Sequence, residues 1–324
     1  MITLKGYDSG LGVSLMNKPK ILLSLTTKDN DYQQEQAAAA EQSAQRLGVD
    51  LQIIYADNDA ITQSQQLLTV IQSSAQRPDA IVFEPVGGTA LPQVARAAAT
   101  AGIGWVVLNR DVDYIEQLRR LYRVPMFVVT ADHEEIGRIQ GRQFEALLPK
   151  GGSVLYIQGP SENLAAKQRT AGMYETKPVN IQVKLMKAHW TEESAYKTIS
   201  SWLRLSTSHE THIDVVAAQD DSMAAGARKA FQDNMTGVAR DRWLGLPFLG
   251  CDGLPNTGQA WVRSGLLAAT VVSPPNTNQA IEMLVPALRG TSEPKERSLT
   301  PPYSFPAIPD LTAAAQKKAR AHKA

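Results

Sequence analysis

Short apolar strands alternate with amphipathic helices along nearly the whole chain, and the alternation restarts after Thr130. The first run pairs ILLSLTT with YQQEQAAAAEQSAQRLG, VDLQIIYA with AITQSQQLLTVIQSSA, and DAIVFEPV with LPQVARAAATAG, and WVVLNRD closes it. The second pairs GGSVLYIQG with SENLAAKQRTAGMYE, IQVKLMKAHW with TEESAYKTISSWLRL, HIDVVAAQ with DSMAAGARKAFQ, and WLGLPFLGCD with TGQAWVRSG. Such alternation implies parallel pairing through right-handed crossovers. Near-continuous apolar strands are what a sheet needs when helices cover both of its faces. The pattern therefore predicts an α/β protein with two similar lobes. The length of 324 residues agrees, being more than one compact core usually holds. Beyond LLAATVVS come a helix, TNQAIEMLVPALRG, and a Pro-rich segment from Glu293 to Pro309. The tail LTAAAQKKARAHKA is expected to form a solvated or fraying basic helix.

Composition removes several function classes. The formal net charge of +1 gives no footprint for nucleic acid or funnel for acidic substrates. One cysteine, Cys251, excludes an intramolecular disulfide framework. No apolar run approaches the ~18 residues of a membrane span. Near the N-terminus, Met16, Lys18, Lys20 and ILLSL imitate the basic and apolar parts of an export signal. The apolar part falls short of the ~7–15 residues required, and TTKDND follows in place of a small-residue cleavage site. The chain as it stands is therefore expected to be cytoplasmic, and periplasmic if the true start lies upstream and encodes an export signal.

In open parallel sheets, ligands bind outside the carboxyl ends of the strands. The strand ends here are polar. WVVLNRD runs from a core strand straight into Asn109, Arg110 and Asp111, as expected if the core stops at a cleft. The first strand leads to Asn30 and Tyr32; VVTADH leads to Asp132 and His133; YIQG leads to Gln158 and Gly159. KAHW supplies Trp190, VVAAQDD supplies Asp220, and FLGCD supplies Asp252. Arg110 and Arg169 are forked donors, while Asp220 and Asp252 are strong acceptors. Two positive and two negative groups nearly cancel, which suits a neutral, hydroxyl-rich ligand. Tyr32 and Trp190 offer flat faces for the C–H side of a sugar ring. Each residue alone has a plainer use: an Asp after a strand caps a helix, Trp190 packs, Arg169 pairs with a neighbour, and His133 is a satisfied cleft-edge or capping residue. The functional reading rests on their coincidence at matching edges of both halves.

With these segments in view, the chain resembles the type I periplasmic sugar-binding proteins, the ribose-binding branch above all, whose fold is shared with the effector domains of lactose-repressor-type regulators. The segments that carry the resemblance are LNRD, VTADHEEIGRIQG, QGPSENLAAKQRTAG, AAQDDSMAAGARKA and LGCDGLPNTGQAWVRSGLLAATV, within Pro19 to about Ser304. It implies two Rossmann-like lobes with parallel sheets, joined by a three-strand hinge. The N-terminal lobe would comprise 19–131 plus 274–299 and the C-terminal lobe 132–273 plus 300–310, with 311–324 as a basic helical tail. Hinge crossings would lie near Thr130–Asp132, Ser273–Pro274 and Leu299–Pro301. The family's sugar contacts fall on Asn30, Tyr32, Arg110, Arg169, Trp190 and Asp252. Gln33 stands where a second stacking aromatic is usual, Asn109 where an aspartate is, and Asp220 where an asparagine is. Cys251 replaces an aromatic, and Ser273 a glutamine at the hinge strand. These exchanges point away from ribose itself and keep a sugar or cyclic polyol as the expected ligand, read by Asn30, Tyr32, Gln33, Asn109, Arg110, His133, Arg169, Trp190, Asp220, Asp252 and Ser273.

The expected function is reversible capture of that ligand with lobe closure, for uptake through an ABC-type permease or for ligand sensing. The alternative is a cytoplasmic sugar-sensing module that acts on a histidine kinase or other signalling partner. No cofactor, metal or membrane insertion is expected. An enzymatic reading, with Asp220 and Asp252 as a glycosidase pair, lacks an accompanying acid–base signature. DHEE at Asp132–Glu135 is not the H-E-x-x-H metal pattern, and PKGGS lacks the phosphate-loop spacing. About twenty residues before the first strand are too few for a helix-turn-helix headpiece, so direct DNA binding is not expected.

Overall fold

Leu22, Leu23, Ile81, Val82, Val106 and Val107 are inaccessible to solvent or nearly so, and each belongs to a strand with helices packed on both sides. The computed structural model describes residues 18–75, 77–87, 90–206 and 211–321. The N-terminal stretch up to Asn17, weighed above as part of an export signal, and the last three residues of the basic tail lie outside the described residues.

The first sheet contains β1 (Lys20–Leu25), β2 (Asp50–Tyr55), β3 (Ala80–Phe83), β4 (Gly104–Leu108), β5 (Met126–Ala131) and β11 (Arg297–Thr300). The second contains β6 (Gly152–Gln158), β7 (Ile181–Lys187), β8 (Val215–Ala218), β9 (Phe248–Asp252), β10 (Ala269–Val272) and β12 (Tyr303–Phe305). Their orders are β11-β5-β4-β3-β1-β2 and β12-β10-β9-β8-β6-β7, the same winding twice over. Each order reverses once, between β1 and β3 in the first sheet and between β6 and β8 in the second. A crevice opens at such a switch point. All pairings are parallel except β12, which runs antiparallel to β10. The expected architecture of two Rossmann-like lobes holds, with this one antiparallel edge added. Both β11 and β12 come from the Pro-rich segment, because an edge strand tolerates neighbouring prolines that a central strand would not.

The chain passes between the sheets three times: from β5 to β6 through Asp132, after β10 through Ser273 and Pro274, and from β11 to β12 through Pro301 and Pro302. Side chains at helix starts secure the turns beside these passages. Asn30, Asp59, Asp132, Asn163, Thr191 and Asp220 each accept a backbone N–H in the first turn of the following helix. Each such cap contributes about 1 kcal/mol. Gly48 ends the first helix in the left-handed conformation, φ 67°. The last helix, Ile308–Ala321, buries Leu311 in the core of the second sheet. No helix among the described residues is long and apolar enough to cross a membrane.

Candidate functional site

The carboxyl ends of the first sheet carry one half of the site. Asn30 precedes the helix Asp31–Leu47 and spends its side-chain oxygen on the Gln33 N–H at 3.1 Å. Tyr32 follows in the first turn, and its hydroxyl accepts a hydrogen bond from Asn109 Nδ2 at 3.4 Å, with Ser273 also in reach. Gln33 is buried and committed at both ends: its oxygen accepts the Thr26 N–H at 3.1 Å, and its nitrogen donates to Glu84 at 2.9 Å. Asn109 sits just past β4 in the left-handed region, φ 54°. Its Oδ1 accepts from Asn276 Nδ2 at 2.6 Å, and Asn276 in turn binds Gln36. Arg110 makes no hydrogen bond among the described residues; Glu84 is its charge partner. Asp111 turns away, held by Arg297 at 2.5 and 3.0 Å. The three polar residues that end WVVLNRD therefore part company, two toward the cleft and one into an ion pair with β11.

The second sheet supplies the other half. Arg169 rises from the helix Leu164–Thr176, donates to the Gln219 carbonyl, and places Nη1 3.8 Å from Asp252. Its guanidinium carbon stands 5.5 Å from the centroid of the Trp190 ring. Trp190 is half-buried, and its backbone is left-handed at φ 58°. Gly159 allows this placement, since a Cβ there would stand 2.3 Å from the indole. Asp220 caps the helix Asp221–Asn234 through the Met223 N–H at 2.5 Å. Asp252 adopts φ 91°, and its turn is braced by Asp221, which accepts the Gly253 N–H at 2.8 Å and the Thr270 hydroxyl at 2.7 Å. Gln158 lies at the end of β6, where its carbonyl accepts the Ala188 N–H at 2.9 Å.

The halves face each other closely enough to feel one another's charge. Burial raises the pKa of both Tyr32 and Glu84, on the first sheet, and the charge of Asp252, on the second, adds a smaller push in the same direction. His133 lies between the lobes. Burial, then the Arg169 cation, lowers its pKa to about 3 against an opposing pull from the Asn109 backbone, with smaller contributions from Arg110 and Arg297. The ring is neutral, and neither ring nitrogen meets a partner with hydrogen-bonding geometry. The expected satisfied histidine is thus buried without a well-formed hydrogen bond, the Asn109 backbone being its polar neighbour. Burial raises the carboxyl pKa of Glu84 and Asp252, and burial together with the charge of Asp252 lifts Asp220 to about 7.

Of the residues singled out in the sequence, Tyr32, Asn109, Arg110, His133, Arg169, Trp190, Asp220, Asp252 and Ser273 gather around this interlobe region. Asn30 and Gln33 serve the frame. Glu84 escaped the sequence reading, although it lies directly after β3, at the switch point. Its backbone is fixed by two contacts: its N–H donates to Ser24 O at 2.9 Å, and its carbonyl accepts from Gln63 at 2.8 Å. Gln219 was also missed. It accepts the Gly159 N–H at 2.9 Å and donates to Tyr156, Ala166 and Thr170, locking β6 and β8 to the Arg169 helix. No group of three or more His, Cys, Asp or Glu side chains among the described residues is arranged to hold a metal ion. The strand ends of the two sheets carry forked donors, carboxylate acceptors and two aromatic rings, which is chemistry for holding a polar molecule.

Residues 21–292 match the family described as periplasmic binding protein domain. A Rhizobium meliloti protein named provisionally for rhizopine binding is 31% identical over 191 residues, 57% of this chain and 58% of that protein, so less than two thirds of that relative is spanned. The ribose import binding protein of Escherichia coli K12 is 22% identical over 85% of this chain and 86% of its own length. Among solved structures, an ABC transporter periplasmic solute binding protein from Actinobacillus succinogenes 130z with bound D-allose superposes with a TM-score of 0.76 at 22% identity, covering 89% of this chain and 97% of that one.

Proposed function

The chain belongs to the periplasmic binding protein domain family, and we propose that it captures a monosaccharide or cyclic polyol between its lobes by hinge closure, without bond chemistry. The observation that carries this reading is the placement of polar and aromatic side chains at the strand ends beside both switch points: Tyr32, Asn109 and Arg110 on the first sheet, and Arg169, Trp190 and Asp252 on the second. A molecule lying between them touches both, and contacts made only when both lobes close around it favour the closed form. Arg110 has no hydrogen-bond partner among the described residues, so its five donors are available to ligand hydroxyls. Arg169, braced by Gln219 and Asp252, presents its remaining donors from the opposite side. A ligand lacking one of the hydroxyls so read would leave a buried charged group unpaired, which is how such a site discriminates. Delivery to the permease of an ABC-type importer is the role that fits a captured sugar, and it implies a periplasmic location.

Titration calorimetry with a panel of pentoses, hexoses and inositols tests the reading. Wild type should bind at least one, and Arg110→Ala should weaken that binding roughly 10- to 100-fold, the worth of a charged hydrogen bond. A wild type that binds none, or an Arg110→Ala variant that binds as well as wild type, would count against it.

A further inference from the structure

Three side-chain amides, Gln36, Asn276 and Asn109, run in series from the helix after the second hinge crossing to the strand end at β4. An amide can turn either its oxygen or its nitrogen to a neighbour, and here the main chain decides which. Gln36 and Asn276 are inaccessible to solvent. The backbone N–H groups of Asn276 and Thr277 both point at one end of Gln36, at 3.0 and 3.1 Å. A backbone N–H only donates, so that end is the oxygen, and the nitrogen of Gln36 is the atom 2.6 Å from Asn276. Asn276 therefore meets Gln36 with its oxygen. Its nitrogen stands 3.3 Å from the Val129 carbonyl, which only accepts, and 2.6 Å from Asn109. The two main-chain anchors demand the same orientation. Asn109 spends its oxygen inward and is left with its N–H2, which lies 3.4 Å from the Tyr32 hydroxyl.

We propose that Asn109 meets the captured molecule as a hydrogen-bond donor, and that Asn276 is the positioning residue that imposes this polarity. The inference rests on the sugar-capture reading and deepens it: the ligand must offer an accepting atom where Asn109 touches it. An aspartate, which the resemblance places at this position, would ask for a donated proton instead. The bond to Tyr32 is long against the usual ~2.9–3.0 Å, so an acceptor on a ligand can take the N–H over. Neither relay residue needs to touch the ligand. A reversed Asn109 would set its nitrogen against the nitrogen of Asn276 and leave both without an acceptor, the costly outcome for buried polar groups.

The experiment is calorimetry on the full chain with D-ribose, D-allose, myo-inositol and their monodeoxy and monodeoxyfluoro forms. Fluorine accepts weakly and cannot donate. At ring positions read by donors, the fluoro form should bind within a few fold of its parent while the deoxy form loses roughly tenfold. Asn109→Asp suits the same left-handed backbone. It should make the fluoro form at one ring position as poor as the deoxy form, and leave fluorine tolerated where Arg110 and Arg169 read the ring. Asn276→Ala should weaken that same fluoro form alone, a selective change that general loosening of the lobe would not produce. Proton NMR of the ligand-free wild type serves even if the variants fold poorly: the Asn109 side-chain amide protons should show contacts to the Tyr32 ring. Fluorine tolerance that Asn109→Asp leaves unchanged at every position, or Asn109 amide protons that contact Asn276 instead of Tyr32, would overturn the donor assignment and leave sugar capture standing. Failure of every compound to bind would bring down both.

Discussion

Gly137 and Arg169 meet backbone to backbone: a methyl group on Gly137 would stand 2.0 Å from the Arg169 carbonyl oxygen. The contact is reciprocal in kind, since a Cβ on Gly172 would lie 2.0 Å from the Glu134 carbonyl. The two glycines let the helix of His133 and the helix of Arg169 lie flush, and so set where the guanidinium enters the cleft.

Gly137→Ala should therefore push the Arg169 helix outward. Overpacking of this kind costs about 1–3 kcal/mol. It should also weaken ligand binding, because Arg169 loses its alignment with Asp252 and Trp190. Thermal melts and calorimetry on the same sample check it. A variant that is unchanged in both would show that the glycine contact does not set the position of the arginine.

Gly159→Ala acts on Trp190. The added methyl would overlap the indole at 2.3 Å, and the ring must swing away from the strand end. Ligand affinity should fall tenfold or more, the worth of a lost ring contact at about 1.5 kcal/mol. The tryptophan emission should shift to the red as the ring meets water. Unaltered emission with full affinity would place Trp190 outside the binding surface.

Asp220 provides a pH signature. Burial, then the Asp252 charge, raises it from 3.8 to about 7 in the folded chain. Between those values the folded protein holds a proton that the unfolded chain has released. Stability therefore falls as pH rises from about 4 to about 7 and is level above. Asp220→Asn keeps an oxygen for the Met223 N–H but cannot ionise. It should flatten that decline and exceed wild type at pH 8 by ~2–4 kcal/mol. Urea melts at pH 4.5, 6 and 8 measure this; a decline as steep as that of wild type would speak against the assigned proton.

The alternation of strands and helices was readable because each period leaves its own spacing of apolar residues. The polar strand ends were readable for the same reason, as departures from that spacing. Glu84 was not: FEPV looks like an ordinary strand exit, and its importance depends on β3 lying beside β1, an order that alternation alone does not reveal. The Gln36–Asn276–Asn109 network was equally hidden, since it joins residues far apart in sequence through a shared burial site. Gln33 looked like the loss of a stacking ring; its amide instead fastens Glu84. β11 and β12 lay concealed among prolines, which edge positions permit.

Asn109, Trp190 and Asp252 share left-handed backbones at φ 54°, 58° and 91°. That region penalises most side chains, asparagine and aspartate less than others. Divergence of this cleft toward new ligands therefore has uneven terrain. Glu84, Arg110 and Arg169 occupy ordinary backbone and are free to be exchanged for other chemistries. Asn109 and Asp252 are anchored by geometry before any ligand is considered, so lineages that change diet should keep these corners and rewrite the walls.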